Sequence, residues 1–520
     1  MKKLLKKTWL TFFGRFGGML PIQKKAIPII LDKKDAILLS STASGKTEGV
    51  VAPLIERLLK EDWNKLSILY ISPTKALVND MYARLQEQCQ ELNVMLTVKT
   101  GDKQKFNPRK PPNFLITTPE SFDSIICRHP YSLKNLKAVI LDEIHLLDNT
   151  YRGDQLRILL KRLAKITKTD FNIYALSATI ADPIDMGNRY IKNFEVVKSS
   201  QKRIIEHSLV QTLEEIYYYV QTENLRKLLI FCNKRVSVEL VAKECKRYWG
   251  DQRVVVHHGS LSTSVRHEAE SFMKETHYGV CVATMTLEIG IDIGSIDAVV
   301  LAEIPWTISA MMQRIGRGNR RSNKNRVFAM YYDDEERNLL EMMFKAANDG
   351  YIEFVEYSPD YAVIVQQIFS ILFANPQGIE NQYFLDLFKD FCKLEILIEI
   401  LKHLLFKEWI VKRKNKYFAN TKLMNLGAFG KIHSNIPSIE VYKVINKLNK
   451  QVIGEVTAPI SDVFILAGRI WRVVHIIDKK IFVKPTKYAN FKVKFKRQAS
   501  KSQFYYFLPE KLREEMEQLE

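Results

Sequence analysis

The sequence predicts an α/β protein with two parallel β-sheets in tandem, followed by a helical unit and a small β-rich unit. Short apolar runs alternate with helical stretches between residues 36 and 300, which is typical of parallel sheets covered by helices on both faces. Nine such runs are too many for one ordinary open sheet, and the polar segment 198–203 divides them. After about residue 350 this alternation ends, and longer helical patterns precede short strands.

The predicted strands are short, apolar and rich in β-branched residues. They lie at 36–40, 66–71, 114–117, 138–141, 173–176, 227–231, 253–256, 280–283 and 298–301. Beyond them, helical patterns at 361–373, 381–391 and 394–406 precede two strands joined by Arg413-Lys-Asn, a winged-helix pattern with a basic wing tip. Short strands with polar turns then run from 441 to 485 and indicate a small β-barrel or sheet. The predicted domains are therefore 1–198, 199–350, 351–428 and 429–520.

The charge of the chain points to a polyanionic partner. Of the formal net charge of +20, residues 401–520 carry +14, with 24 Lys and Arg against 10 Asp and Glu. Such asymmetry favours nucleic acid or an anionic surface as the partner of the C-terminal part. A basic surface that serves only solubility is the alternative.

Cysteine usage and hydropathy indicate a cytoplasmic protein without a membrane span. The six cysteines include no C-x-x-C pair, which argues against a zinc ribbon, an iron–sulfur cluster and a disulfide framework. Reduced thiols suit the cytoplasm. No apolar run reaches the ~18 residues that a membrane span requires.

A Gly-Lys-Thr turn after the first predicted strand indicates a phosphate site. The segment from Ser40 to Glu48 keeps the end of the pattern G-x-x-x-x-G-K-[ST], although Ser40 stands where the first glycine belongs. Backbone N–H groups at a helix N-terminus face bound phosphates. In this pattern Lys46 neutralises their charge and Thr47 ligates magnesium. The turn predicts an ATP site with Mg²⁺, but a short motif of this kind also arises by chance.

Two adjacent acids, Asp142 and Glu143, follow the predicted strand 138–141. Ligands bind at the carboxyl ends of the strands in open α/β sheets. We therefore expect Asp142 to hold magnesium through water and Glu143 to polarise the attacking water. Adjacent acids on a loop are usually only solvated, but these two end a buried strand.

Three arginines occur within Gln313-Arg-Ile-Gly-Arg-Gly-Asn-Arg, in the region of the second sheet. Phosphoryl transfer needs cations on the developing γ-phosphate charge, and another domain often delivers them. Arg317 and Arg320 are predicted to have this role, so that ATP is hydrolysed in a cleft between two domains. Alone, the segment would be read as an ordinary basic helix face.

These motifs and their order over residues 16–325 resemble those of superfamily 2 DEAD/DEAH-type helicases. Further segments that carry the resemblance are Leu20-Pro-Ile-Gln, Ser72-Pro-Thr-Lys-Ala-Leu, Gly101-Asp, Thr117-Thr-Pro-Glu-Ser, Ser177-Ala-Thr, Phe231-Cys-Asn-Lys-Arg, His257-His-Gly-Ser-Leu-Ser and Ala283-Thr-Met-Thr-Leu-Glu-Ile-Gly-Ile-Asp. The resemblance implies two RecA-like domains that hydrolyse ATP and move along nucleic acid.

Within that superfamily, the chain is most similar to the large helicase-related (Lhr-like) family. Segments that support this are Asp142-Glu-Ile-His with Arg152-Gly, Leu287-Glu-Ile-Gly-Ile-Asp-Ile-Gly, Lys431-Ile-His-Ser-Asn-Ile-Pro and Gly468-Arg-Ile-Trp. The likeness implies a winged helix and a β-rich domain after the RecA-like domains. It also implies 3′→5′ movement on single-stranded DNA, with unwinding of DNA or RNA:DNA duplexes. Ser40 and Ala43 depart from the phosphate loop of that family.

The resemblance also implies roles for individual residues. The residues implied for ATP binding are Gln23, Thr42, Ala43, Ser44, Gly45, Lys46, Thr47, Glu48, Gly290 and Asp292. Those implied to couple hydrolysis to the grip on the strand are His145, Ser177, Thr179 and Gln313. Contacts to nucleic acid are expected from Pro73, Thr74, Thr118, Thr284, the wing-tip residues Lys412, Arg413, Lys414 and Lys416, and Trp471.

Two other functions stay open on this sequence. A DEAD-box-like helicase that remodels short RNA duplexes fits the segment around Gln23, but the basic winged helix and His145 count against it. A scaffold with a degenerate ATPase would not need the intact set of Lys46, Thr47, Asp142 and Glu143.

Overall fold

The computed structural model describes residues 1–16, 18–40, 44–102, 106–167, 170–178, 180–199, 204–287, 293–318, 324–351, 356–437, 441–457, 462–486 and 501–519. Within these ranges no helix combines the length and the apolar character that crossing a membrane requires. All six cysteines lie within them as free thiols.

A parallel sheet with helices on both faces forms the first domain. Its strands are β1 (Ala36–Leu39), β2 (Ile68–Ile71), β3 (Leu96–Lys99), β4 (Phe114–Thr117), β5 (Ala138–Leu141), β6 (Asn172–Ser177) and β7 (Glu195–Lys198), in the order β3-β4-β2-β5-β6-β1-β7. Its helices are α1 (Trp9–Phe13), α2 (Pro21–Leu31), α3 (Lys46–Lys60), α4 (Lys75–Glu91), α5 (Pro119–Arg128), α6 (Tyr151–Ile166) and α7 (Pro183–Tyr190). The sequence missed the edge strands β3 and β7 because they are only partly buried and mix polar with apolar residues.

A second parallel sheet forms the second domain. Its strands are β8 (Ile204–Val210), β9 (Lys227–Phe231), β10 (Val254–His257), β11 (Gly279–Ala283), β12 (Ala298–Leu301) and β13 (Lys324–Met330), in the order β10-β11-β9-β12-β13-β8. Its helices are α8 (Leu213–Thr222), α9 (Arg235–Trp249), α10 (Thr263–Glu275), α11 (Ile308–Ile315) and α12 (Asp334–Asp349). The prediction of two parallel sheets in tandem is confirmed.

Helices and a small antiparallel sheet follow, in the arrangement of a winged helix. They are α13 (Ala362–Ala374), β14 (Ile379–Glu380), α14 (Asn381–Phe388), α15 (Leu394–Phe406), β15 (Ile410–Arg413), β16 (Lys416–Ala419) and α16 (Thr421–Ala428). We call residues 356–437 the winged-helix unit. Strand β16 pairs with both β14 and β15, and the hairpin β15–β16 is the wing.

A β-rich unit comes next, and the chain then returns to the winged-helix unit. Its strands are β17 (Val441–Asn446), β18 (Val452–Thr457), β19 (Val463–Leu466), β20 (Arg469–Ile477) and β21 (Lys480–Pro485), in the order β18-β17-β21-β20-β19. Helix α17 (Glu510–Leu519) closes the chain. Phe504, Leu508 and Leu512 are buried in the core of the winged-helix unit, so the predicted β-rich domain 429–520 is too long at this end. The sequence alone does not indicate which core these apolar residues join.

The two accessory units attach to different domains. The β-rich unit shares one core with the second domain, in which Val444 and Trp471 pack with Val256 and Val280. The winged-helix unit packs its helix α13 against α5 and α6 of the first domain. Each RecA-like domain therefore carries one accessory unit as a continuous body.

Candidate active site and nucleic-acid interface

The phosphate loop lies between the end of β1 and the start of α3. Gly45 has φ of +80°, in the left-handed region, and Lys46 is the first residue of the helix. A Cβ at position 45 would lie 2.3 Å from Nε2 of Gln23, so glycine meets both the backbone and the space requirement. Lys46 is buried, and its Nζ donates to the carbonyl oxygen of Ser40 at 2.6 Å. Thr42 and Ala43 lie outside the described residues.

The two predicted acids follow β5 directly, as the sequence indicated. Asp142 is buried, and Ser72 Oγ donates to its Oδ2 at 3.4 Å. Glu143 has φ of +42°, a backbone conformation that non-glycine residues rarely adopt and that clusters at functional sites. No sequence pattern reveals this backbone strain.

The charges at this site act on one another. Burial, together with the neighbouring Glu143 carboxylate, raises the pKa of Asp142. Burial also penalises the charged form of Glu143, but Lys46, His145 and Arg317 hold the pKa of Glu143 below its usual value. Glu143 is therefore an ionised carboxylate that can accept a proton or orient water.

The donor set suits a divalent cation beside Asp142 and Thr47. Two buried carboxyl groups repel each other there, and Oε2 of Glu143 accepts no hydrogen bond from any described residue. Magnesium prefers carboxylate and hydroxyl oxygens together with water and substrate phosphates. Asp142 and Thr47 are thus the residues that would hold Mg²⁺.

Gln23 and Glu48 have partners within the protein. Gln23 Oε1 accepts from the N–H of Leu20 at 2.9 Å, and its Nε2 donates to the carbonyl oxygen of Gly45 at 3.2 Å. The predicted adenine-reading residue therefore ties α2 to the phosphate loop. Glu48 forms an ion pair with Arg84 of α4 at 2.8 Å, and Ser44 is half-buried in the loop.

His145 links the acids to the end of β6. Its Nδ1 accepts from the N–H of Ala178 at 3.3 Å and lies 3.2 Å from Oγ of Ser177. The same nitrogen is 3.5 Å from Oε2 of Glu143. Burial lowers the pKa of His145, so the ring is neutral and can accept. The structure brings these predicted coupling residues together, whereas Thr179 lies outside the described residues.

The second domain delivers Arg317 to the same site. Arg317 follows α11 and is buried, and its charge acts on both Lys46 and Glu143 of the first domain. Gln313 is half-buried on α11. Gly290, Asp292 and Arg320 lie outside the described residues. The described part of the site therefore combines groups from both sheets.

The predicted nucleic-acid contacts of the first domain lie at two helix N-termini. Thr74 caps α4 by accepting from the N–H of Leu77 at 3.2 Å, and Thr118 caps α5 by accepting from the N–H of Ser121 at 3.5 Å. Both helices follow adjacent parallel strands, so their N–H groups face the same edge of the sheet. The side chains of Pro73 and Thr118 are buried. An anion at this edge would therefore be bound by the backbone N–H groups of the helix N-termini.

A cleft of about 930 Å³ continues this edge toward the second domain and the β-rich unit. The start of α4 lines one side, and α10 with β17 and β18 lines the other. Arg266 of α10 lines the cleft, and its buried Nε has no partner among the described residues. No sequence pattern singles out Arg266, because one arginine in an amphipathic helix gives no sign of the helix face that it occupies. Thr284 is buried beyond the end of β11.

The winged-helix unit meets the first domain through buried polar groups. We call them the junction cluster: Asp123, Arg162, Gln366, Gln367, Ser370 and His433. Asp123 Oδ1 accepts from Arg162 Nη1 at 2.8 Å, and its Oδ2 accepts from His433 Nδ1 at 2.7 Å. Gln155 Nε2 of α6 also donates to the carbonyl oxygen of His433 at 2.9 Å. The family-like segment that contains His433 therefore anchors the winged-helix unit.

Glu239 of α9 anchors the β-rich unit on the second domain. Its carboxylate accepts from the N–H groups of Ala467 at 2.6 Å and Gly468 at 2.5 Å, and it pairs with His258 Nε2 at 2.9 Å. A Cβ at Gly454 would lie 2.4 Å from the carbonyl oxygen of Ser260, so glycine permits the close approach of β18. The β-rich unit is thus bound to the loop that follows β10.

Trp471, from which the sequence predicts a contact with nucleic acid, is buried in this structure. Trp471 is 3% exposed in the core shared with the second domain, and its Nε1 donates to the carbonyl oxygen of Leu466 at 2.8 Å. At the wing tip, by contrast, Lys412, Arg413 and Lys414 are exposed and Lys416 is half-buried. The wing therefore presents its charge to solvent, whereas the tryptophan serves packing.

Comparison with known proteins identifies similar sequences. The sequence profile of the DEAD/DEAH box helicase family matches residues 20–186, and that of the helicase conserved C-terminal domain matches residues 208–322. The ATP-dependent helicase Lhr-Core of Sulfolobus acidocaldarius is 35% identical over 62% of this chain and 42% of its own length. The ATP-dependent helicase Lhr-Core of Methanocaldococcus jannaschii is 30% identical over 92% of this chain and 63% of its own.

The chain spans between 42% and 63% of the length of these two relatives. Among solved structures, the DUF1998 helicase MrfA bound to DNA and AMPPNP is similar with a TM-score of 0.76. It is 18% identical, and the match covers 95% of this chain and 74% of that chain. At this identity the likeness concerns the fold, and it includes both accessory units.

Proposed function

The chain belongs to the DEAD/DEAH-box helicases and is similar to the Lhr-Core proteins among them, and we propose that it is an ATP-dependent motor that moves along and unwinds nucleic acid. One observation carries the proposal. Lys46, Asp142 and Glu143 of the first sheet share a buried site with Arg317 of the second, and their charges act on one another. Such a site is complete only when the two domains are closed.

Each residue has a distinct task in this proposal. Lys46 and the N–H groups at the start of α3 hold the β- and γ-phosphates. Glu143, kept ionised by its cationic neighbours, orients the attacking water and accepts its proton. Arg317 stabilises the charge that develops on the γ-phosphate. Magnesium, when bound, would neutralise phosphate charge beside Asp142 and Thr47.

His145 can couple ATP hydrolysis to the binding of the nucleic-acid strand. Its ring contacts Glu143 at the ATP site and the end of β6, which lies at the same sheet edge as the helix N-termini capped by Thr74 and Thr118. Opening of the cleft would also separate the two accessory units, because each is bound to a different domain. A strand held by both bodies would then be drawn past one of them.

We propose single-stranded or tailed duplex DNA as the substrate, with 3′→5′ movement. The DNA bound in the MrfA structure supports the choice of substrate, and the direction is the one that the resemblance to the Lhr-like family implies. Remodelling of short RNA duplexes is the second candidate. The segment around Gln23 resembles that of DEAD-box RNA helicases, and Gln23 hydrogen-bonds to the phosphate loop.

Nucleic-acid-stimulated ATP hydrolysis tests the site. Lys46→Ala is expected to abolish turnover, because it removes the phosphate-binding cation. Glu143→Gln should still bind ATP but hydrolyse it slowly, because the amide cannot accept the proton of the attacking water. The ATP-bound protein should therefore stay on the strand in a long-lived complex. The exposed Lys65 offers a matched control, and Lys65→Ala should turn over like the wild type. Near wild-type hydrolysis by Glu143→Gln would refute its role as the base.

Strand displacement then identifies the substrate. Duplexes of DNA, RNA and RNA:DNA hybrid with 3′ or 5′ tails are compared with and without ATP. ATP-dependent displacement that requires a 3′ DNA tail is expected. Displacement only of short RNA duplexes, without dependence on tail polarity, would favour the second candidate.

A further inference from the structure

Two cations and a histidine lie outside the ATP site, along helix α5 between the edge strand β3 and helix α16. Lys99 ends β3, and its Nζ donates to Ser124 Oγ at 3.3 Å. Arg128 ends α5, and its Nη2 donates to the carbonyl oxygen of Gly427 at 3.2 Å. His129 follows directly. We call Lys99, Arg128 and His129 the cationic seam, since they lie between the first domain and the winged-helix unit.

Lys99 and Arg128 act on each other as like charges. Burial and then the charge of Arg128 lower the pKa of Lys99 to about 8. Burial, Lys99 and Arg128 likewise lower the pKa of His129. The acid that acts on Lys99 is Asp123, but Arg162 and His433 already bind both of its carboxylate oxygens. Lys99 and Arg128 therefore repel each other in the free protein, and an anion placed between them would relieve that repulsion and favour the charged form of His129.

The seam continues the edge at which nucleic acid is expected. Lys99 is paired with Thr117 in the sheet, and Thr117 Oγ1 donates to its carbonyl oxygen at 2.7 Å. The next residue is Thr118, which caps α5. Two aromatic side chains flank the seam: Tyr131 is 50% exposed, and Phe429 of the segment after α16 is 79% exposed. Cations interleaved with exposed aromatic rings are typical of surfaces that bind single strands.

We propose that the cationic seam is a second nucleic-acid contact, which binds phosphates of the single strand as it passes Thr118 toward the winged-helix unit. This inference rests on the proposed function, because it extends the path of the same strand. It adds residues that no helicase-like motif of the sequence contains. Tyr131 and Phe429 would stack on bases beside the bound phosphates.

The affinity for oligothymidylates of increasing length, measured by fluorescence anisotropy at several salt concentrations, tests the seam. Wild type should gain affinity with length until the strand reaches the seam. Lys99→Gln and Arg128→Gln should bind short strands like wild type and should not show the gain on longer ones. The slope of log K against log salt should fall by about 0.7 for each phosphate that the variant no longer binds.

Thermal unfolding separates binding from packing. Because Lys99→Gln removes a repelled cation, its melting temperature should equal or exceed that of wild type. Lys99→Arg should retain the length-dependent gain, and Lys345→Gln on the exposed face of α12 is a matched control. A lower melting temperature with equal weakening at every length would overturn the inference, since Lys99 would then be a packing residue.

The outcomes also separate this inference from the proposed function. If wild type binds no oligonucleotide of any length, the proposed function fails. If wild type shows the gain with length and both glutamine variants show it unchanged, the cationic seam is not on the strand path. Selective loss of polyglutamate binding in those variants would then indicate an acidic protein partner instead.

Discussion

Replacing Asp123 by alanine should loosen the winged-helix unit from the first domain and leave the second domain intact. Asp123 is fully buried and binds both Arg162 and His433. Its loss leaves the Arg162 guanidinium, only 4% exposed, without a carboxylate. Breaking a buried pair in this way costs about 3–5 kcal/mol. The junction cluster should therefore open locally at a lower cost in free energy.

The effect also has a pH dependence with a definite sign. Burial opposes ionisation of Asp123, but His433 and Arg162 outweigh it and lower the pKa of Asp123. An acid whose pKa is lower in the folded state stabilises that state above its unfolded pKa. The contribution of Asp123 should therefore be complete at neutral pH and disappear as the pH falls through the lowered value.

Hydrogen exchange followed by mass spectrometry is the appropriate assay, because it reports each helix separately. A change of 1.4 kcal/mol is tenfold, so exchange in α13 should accelerate by about 100-fold or more in Asp123→Ala. Lys161→Ala is the matched control at the rim of the same junction. Lys161 pairs with Asp390 at 2.9 Å, but the two side chains are 38% and 65% exposed. Such a pair contributes about 0–1 kcal/mol.

Two results would refute this reasoning. Equal acceleration of α13 in Asp123→Ala and Lys161→Ala would mean that burial of the pair does not matter. Equal acceleration in the strands of the second sheet would mean that the two domains open together, contrary to the division into two bodies.

Two further substitutions test the ATP site and the β-rich unit. Gly45→Ala should abolish nucleotide binding, measured with a fluorescent ATP analogue, because a Cβ would collide with Gln23 and the residue has φ of +80°; retained affinity would contradict the loop geometry. Trp471→Ala should lower the free energy of unfolding in urea by about 3–5 kcal/mol, because a large buried ring is removed. An unchanged urea midpoint with weaker strand binding would instead support a stacking role.

The basic residues of the C-terminal part belong to two different bodies of the molecule. The basic wing tip is exposed and belongs to the body of the first domain, whereas the β-rich unit shares a core with the second domain. If the cleft opens and closes with hydrolysis, the distance between the wing and the β-rich unit changes in each cycle. The excess charge of the C-terminal part is thus divided between the body of the first domain and the body of the second.

The sequence alone determined the features that depend on neighbours along the chain. Buried parallel strands are continuous apolar runs, so β2, β4 and β5 were predictable from composition. The phosphate loop and the pair Asp142 and Glu143 were predictable because each lies directly after such a strand. The resemblance to the Lhr-like family, which the comparisons confirm, also rests on short contiguous segments of the chain.

Only the tertiary structure decided the features that depend on partners distant in sequence. Edge strands such as β3 and β7 lose the continuous apolar signal because part of their surface faces solvent. Trp471 is a packing residue because the second domain buries it. A Gly-x-x-Trp pattern does not indicate that another domain packs against the tryptophan. The attachment of the winged-helix unit to one domain and of the β-rich unit to the other depends on Asp123 and Glu239. Each is one carboxylate among many in the sequence, until folding buries it against its hydrogen-bond donors.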